Sequence, residues 1–275
     1  MESVEREKFL KYAQTEEDRL FLAKLLDKAN QADRGYLTYT HFMDPHQRTI
    51  ARRILDEHGF RIIFDGGYLE AERVVGLFLP DYMGYTTEIE TMEGLRSNSE
   101  YPISLIQVDY NKNPYAKELT HRDYLGALMN LGIKRETLGD ILVHEEFAQI
   151  IALSEITTYL ETNLTQVARV RVEARTVELP QLVLLILRTE EKTATVASLR
   201  LDAVMAEGFH LSRSEAAKYI EAGKVYLQFE ECNNVSKLVD VGNTISLRGM
   251  GRIILDKIGG NSKKNRIFIT LKKLV

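Results

Sequence analysis

The sequence holds a single cysteine, Cys232, so no disulfide can close within the chain and no cysteine-based zinc site can form, a usage that fits a reducing compartment. Long apolar runs are missing too. The longest, Leu182 to Leu187, falls far short of the roughly 20 residues that a bilayer-spanning helix needs, and the opening segment carries charges throughout. Neither export nor membrane anchoring is indicated, and a cytoplasmic location is expected. The six histidines stand at 41, 46, 58, 121, 144 and 210 with no His-x-x-x-His pair, and neither Gly-x-Gly-x-x-Gly nor Gly-x-Ser-x-Gly occurs. No metal, no cofactor and no catalytic residue is therefore assigned.

What is present is a charge asymmetry. The 275 residues carry a net charge of -4, yet from Val196 onward 13 Lys and Arg face 8 Asp and Glu, against 23 and 32 in the rest. A basic domain on an acidic chain points to a local polyanion contact.

Apolar spacing predicts an amphipathic helix over residues 4–29, with Phe9, Leu10, Leu20, Phe21, Leu25 and Leu26 on one face. A second helix is expected over 45–59, opened by Pro45 and stopped by Gly59, followed by strands at 61–64 and 74–79 around Gly66-Gly67. From Tyr101 the pattern runs strand (103–110), helix (121–131), strands (140–143 and 148–153), helix (154–164) and strand (168–175). That order is the split βαβ, ferredoxin-like arrangement, shared by RNA-recognition domains and by many unrelated proteins. The third strand, Phe147 to Leu153, lacks the Gly-aromatic-aromatic signature, so base stacking on this sheet is not expected. The expected α+β organisation is a small N-terminal α/β domain (1–98), a central βαββαβ RNA-binding domain (99–180), a linker (181–197) and a basic C-terminal domain (198–275). Residues 259–265 read as a polar turn before a last strand.

The C-terminal region carries the most specific motifs. Arg200-Leu201-Asp202 opens one helix, Ser212-Arg213 opens the next, Gly223-Lys224-Val225 turns into a strand, and Gly242-Asn243-Thr244-Ile245 leads another. In this order they resemble the S-four RNA-binding domain, with Asn243 in place of the usual Asp. Ser212 with Glu215 forms a capping box, and Ala216, Ala217 and Ile220 fall on an inward face. Arg213 with Ser214 is expected to hold an RNA phosphate bidentately at the helix N-terminus. Ser212 and the exposed Lys218 join the expected RNA contacts, and Lys224, Arg200, Arg248, Arg252 and Lys257 extend the basic surface; solvated surface charge is the competing reading.

Three further motifs, Phe42-Met-Asp-Pro-His-Gln-Arg48, Gly66-Gly-Tyr-Leu-Glu-Ala-Glu-Arg73 and the stretch from His121 to Ile141, resemble the bacterial YlmH family. The resemblance implies contact with ribosomal RNA and tRNA on a large ribosomal subunit carrying peptidyl-tRNA, in ribosome-associated quality control. It also admits a cell-division protein as a partner. Within the long motif His121, Arg122, Lys134 and Arg135, at the two ends of a predicted helix, are candidates for RNA contact, with capping and packing as the equal alternative. Glu72-Arg73 reads as a structural ion pair at a turn.

Two enzyme readings fail on residues. His121-Arg122-Asp123 matches the start of a kinase catalytic loop, but Leu128 stands where its Asn belongs. The Arg-Leu-Asp of a pseudouridine synthase site continues with Thr or Ser, whereas here Ala203 follows Asp202. An RNA-modifying enzyme with a pocket lined by Asp44, Asp65 or Glu72, and a cell-division adaptor docking through the acidic N-terminal helix, stay as alternatives.

Overall fold

A computed structural model describes residues 9–13, 15–58, 62–80, 88–97, 100–110, 118–185, 189–262 and 264–274. The chain divides into two compact units, residues 1–185 and 186–275.

The first unit begins with a correction. The single helix expected over 4–29 is interrupted: Phe9 and Leu10 are helical, Lys11 and Tyr12 turn, and α1 (Glu16–Ala32) starts afresh; residues 4–8 lie outside the described set. Thr15 sets the start, its hydroxyl accepting the Asp18 N–H at 3.1 Å while Asp18 accepts the Thr15 N–H at 3.0 Å. α2 (Pro45–His58) follows, and with α1 it buries Leu22, Leu25, Ala29, Ile50 and Ile54 over one face of a sheet of order β1–β3–β2, formed by β1 (Thr38–Tyr39), β2 (Ile62–Asp65) and β3 (Val75–Phe78). α3 (Glu88–Arg96) leads on to the central strands.

The central part forms the expected βαββαβ: β4 (Ile103–Asp109), α4 (His121–Asn130), β5 (Leu138–Val143), β6 (Phe147–Leu153), α5 (Thr157–Asn163) and β9 (Glu173–Val177). The sheet runs β5–β6–β4–β9, all antiparallel, which is the strand order of the ferredoxin-like topology. The strand expected over 168–175 is divided. β7 (Gln166–Val167) and β8 (Val170–Arg171) form a tight hairpin whose turn puts Ala168 at φ 50°, and only then does the chain join the sheet as β9.

α4 and α5 cover one face of this sheet, over Ile106, Val108, Ala148 and Ile150. The other face is covered as well. Ile103, Leu105, Ile151, Leu153 and Val177 share a core with Phe42, Val75, Leu77 and Leu79 of the N-terminal part, so the boundary drawn at residue 98 is not a seam. Beside them Gln149 is fully buried, its amide nitrogen donating to the Gln181 carbonyl at 2.9 Å and its oxygen accepting the Val183 N–H at 2.8 Å. The chain from Leu179 to Val183 is thereby strapped across the strand.

The second unit is a six-stranded antiparallel sheet, β10–β15–β14–β13–β11–β12, with two helices on one face. Its strands are β10 (Thr189–Val196), β11 (Val225–Leu227), β12 (Glu230–Glu231), β13 (Thr244–Leu247), β14 (Gly251–Asn261) and β15 (Ile267–Leu274). The expected linker 181–197 is corrected here: β10 pairs along its whole length with β15 and belongs to this sheet. α6 (Leu201–Phe209) and α7 (Arg213–Glu221) bury Val204, Met205, Phe209, Ala216 and Ile220 against Val225, Ile245, Leu247, Ile253, Leu255 and Leu271. Among the described residues no helix is long and apolar enough to cross a membrane.

Candidate nucleic-acid interface

The opening of α7 is built around a carboxylate. Asp202, in the first turn of α6, is buried, and its Oδ2 accepts two hydrogen bonds from Arg213, from Nε at 3.1 Å and Nη2 at 2.6 Å, while Oδ1 accepts Arg200 Nε at 3.1 Å. Burial alone pushes the Asp202 pKa up; the hydrogen bonds and charges of Arg213 and Arg200 outweigh it and hold the carboxyl below its ordinary value. The side chains of Arg213 and Arg200 stay 52% and 38% exposed, so one buried negative charge presents two cations in fixed positions.

This limits which edge of Arg213 can meet a phosphate. Two of its donors are engaged by Asp202, and the helix N-terminus is already capped: Glu215 Oε2 accepts from the Ser212 N–H at 2.8 Å and the Ser212 hydroxyl at 2.7 Å, and the Ser212 and Ser214 hydroxyls lie 3.0 Å apart. What Arg213 offers a phosphate is the outer edge of an oriented guanidinium, the two N–H groups of Nη1 and the second of Nη2. Lys218 is exposed on α7, and Lys224 lies over the Tyr219 ring at 5.7 Å while its carbonyl accepts the Arg248 N–H at 3.0 Å, which brings Lys224 and Arg248 together. Lys237, not singled out from the sequence, is exposed and its carbonyl accepts the Leu201 N–H, next to Arg200.

Arg252 and Lys257 are not on this side. Ile253 and Leu255 point into the helix-covered core, so Arg252, the residue before Ile253, and its partner Ser246, bonded at 3.2 Å, face the opposite side of the sheet, where the guanidinium lies over Phe229 at 5.2 Å. Lys257 pairs with Thr270, which alternates with the buried Ile269 and Leu271, and shares that far face.

In the first unit the four central candidates separate. Thr120 and Asp123 cap α4 reciprocally, leaving His121 and Arg122 exposed in its first turn, and Lys134 is exposed beyond its other end. Arg135 is turned inward: its Nη1 donates to the carbonyls of Leu138 at 2.9 Å and Gly139 at 3.0 Å, and burial together with neighbouring Arg73 pushes its pKa down to about 10. Arg73 donates to the carbonyls of Leu138 and Phe42, both at 2.9 Å, and Asp140 accepts the Tyr68 hydroxyl and the N–H groups of Glu72 and Arg73. Arg135 therefore staples the local turn into β5, and Arg73 is the longer-range tie, joining the carbonyls of Phe42 and Leu138. His121, exposed at its outer edge, is still desolvated on its inner side, which with the nearby Arg135 charge lowers its pKa against the pull of Asp140 and Glu72.

Among the described residues of this unit, three grooves bear on the candidate sites. One, of about 560 Å³ between α1 and β1, is lined by Leu20, Phe21 and Tyr39 together with Glu17, Glu136 and Glu155. The Thr40 N–H to Gly76 carbonyl bond makes Tyr39 and Leu77 a non-hydrogen-bonded pair, so the Tyr39 N–H and C=O point to the open sheet edge. A second, of about 500 Å³, adjoins it at Tyr39. The third, of about 440 Å³, lies between α4 and the β7–β8 hairpin and includes Arg122. None of the three is lined by Asp44, Asp65 or Glu72. Asp44 caps α2 with Gln47, and buried Asp65 accepts from Arg96, Tyr101 and the Gly67 N–H.

Comparison with known proteins agrees with this layout. Residues 97–181 match the family described as "Putative RNA-binding domain in YlmH", and residues 199–245 match the S4 domain. The "Ribosome-associated protein quality control protein P2" of Bacillus subtilis (strain 168) is 30% identical over 258 residues, covering 94% of this chain and 95% of that protein. The chain belongs to the YlmH family. A solved structure, "Cell division protein ylmH from Streptococcus pneumoniae", is 29% identical, covering 62% of this chain and 97% of that one at a TM-score of 0.47. In this YlmH-family chain the S4 match contains Asp202 and both arginines that hold it.

Proposed function

We propose that this protein docks on structured RNA of the large ribosomal subunit carrying peptidyl-tRNA and acts there in ribosome-associated quality control, without chemistry of its own. The observation that carries this reading is the pair Arg200 and Arg213, held half-exposed by one buried carboxylate at the start of α7. Such a pair recognises phosphate spacing and helix shape rather than base identity, the mode expected for folded RNA. The relative's name, which ties it to ribosome-associated quality control, supports the setting.

The test is co-sedimentation of the full chain and of Arg213→Ala with purified ribosomal subunits at low and moderate salt. Binding to the large subunit that weakens with salt and with the substitution is expected; absence of subunit binding at either salt overturns the reading.

A second reading, a polypeptide-docking adaptor in cell division, is favoured by the open edge of β1 beside the acidic groove along α1. Tyr39→Pro removes an edge N–H without touching the β1–β3 ladder. Loss of a division partner from this variant, with ribosome binding intact, would select the adaptor role.

A further inference from the structure

The central domain has the RNA-recognition topology but not its usual open platform. In that topology bases lie on the sheet face opposite the helices. Here that face is closed twice over, by Val75, Leu77 and Leu79 packed on Leu105 and Ile151, and by the strap that Gln149 holds. RNA contact by this domain has to come from elsewhere on its surface.

The helix side offers a site. The groove of about 440 Å³ between α4 and the β7–β8 hairpin sets the hydrogen-bonding side chains of Arg122, Asn130, Asn163, Thr165 and Gln166 around an apolar patch of Ala127 and Leu131. Its volume lies within the range of small-ligand sites. Asn163 donates its amide nitrogen to the Tyr159 carbonyl, and Gln166 donates to the Ala168 carbonyl, both at 2.8 Å, which orients the two amides and leaves their oxygens as acceptors. Arg171 is the cross-strand partner of Gln166, so the two side chains stand on the same face of the hairpin, and Arg169 is exposed in its turn. Val167 and Val170, the other cross-strand pair, face the core and anchor the hairpin. The carboxylate in the groove wall, Asp123, is engaged by Thr120 in the α4 cap and keeps its charge, but Arg122 beside it and Arg169 and Arg171 on the hairpin outnumber it.

We propose that this groove binds an unpaired stretch of RNA, with Arg122, Arg169 and Arg171 on the phosphates and Asn130, Asn163 and Gln166 on the base edges. The inference rests on the RNA-docking reading above and gives it a second, separate contact. Fixed amides and arginines around a recess suit a splayed nucleotide, whose Watson–Crick edge is free; a duplex hides that edge and presents a surface too broad to enter.

The experiment uses the full-length chain with two probes: a 4-thiouridine-containing single-stranded RNA dodecamer and the same sequence as a duplex. Photocrosslinks from the single strand should map to residues 122–131 and 163–171. The double variant Arg122→Glu/Arg171→Glu should bind the single strand about tenfold more weakly and the duplex nearly as wild type, whereas Arg213→Glu should show the reverse. A urea melt of the double variant that overlays the wild type shows that any loss comes from the site and not from misfolding. Single-strand binding that is absent in the wild type, or unchanged in the double variant, overturns the groove while leaving ribosome docking standing if the Arg213 effect persists. Failure of the chain to bind either probe or the ribosomal subunits overturns both readings.

Discussion

Arg213 and Asp202 stand 11 residues apart in sequence and 2.6 Å apart in space, and their bond ties the start of α7 to the first turn of α6. Removing the carboxylate frees two arginines at once. Asp202→Asn should cost on the order of 1–3 kcal/mol, the range for hydrogen bonds to a charged group, and loosen RNA binding although both cations survive. Chemical denaturation of residues 186–275 within the full chain, paired with ribosome co-sedimentation, checks both effects.

The pH dependence follows from the same carboxyl. Its folded-state pKa lies below its unfolded value, so the stability it confers is present above the ordinary aspartate value of about 4 and is lost as pH falls through the lower folded value. Thermal melts of wild type and Asp202→Asn should differ by a constant gap from pH 5 to 8 and converge in the acid range below about pH 4.

Arg135 gives the opposite kind of prediction. Arg135→Ala leaves the Gly139 carbonyl without its guanidinium donor and the Leu138 carbonyl with that of Arg73 alone, and should destabilise the first unit by about 1–3 kcal/mol while leaving the salt dependence of RNA binding unchanged. Lys218→Ala should do the reverse: no change in urea midpoint, and a shallower slope of log affinity against log salt if Lys218 meets a phosphate.

Gly139 marks how closely the N-terminal part approaches the central sheet. A Cβ there would lie 2.8 Å from Phe42 and 2.9 Å from Ile151, so Gly139→Ala should destabilise by about 1–3 kcal/mol through overpacking. The urea midpoint of the first unit reads this directly.

Gln149→Leu removes the strap. The Val183 N–H and the Gln181 carbonyl lose their partner, and limited proteolysis should cut after residues 182–185 faster than in the wild type, before global unfolding.

How much of this was legible in the sequence divides along local and non-local lines. The alternation of period two and period 3.6 marked the βαββαβ order, and Ser212 with Glu215 marked a cap, because each signal lies within one element. The Thr15 and Asp18 cap was equally local, but the apolar face running from Phe9 to Leu26 masked it. β10 and the β7–β8 hairpin were missed for another reason: Thr189 to Val196 is mostly polar and becomes a strand only by pairing with β15, and Ala168-Arg169 carries no glycine or asparagine to announce a turn. Arg135, Arg252 and Lys257 were legible as cations but not in their direction. Arg135 folds back onto the carbonyls of Leu138 and Gly139 just ahead of it, and the other two follow a strand parity fixed by which neighbours enter the core.

The closed face of the central sheet carries a consequence for how the molecule comes apart. Phe42, Leu77, Leu105 and Ile151 contribute to one core from both sides of residue 98, so the N-terminal part and the βαββαβ part melt as a single cooperative unit. The deepest amides of β3, β4 and β6 should then exchange with solvent at a common, slow rate, and a fragment cut at residue 98 would trade a buried seam for an aggregation-prone surface.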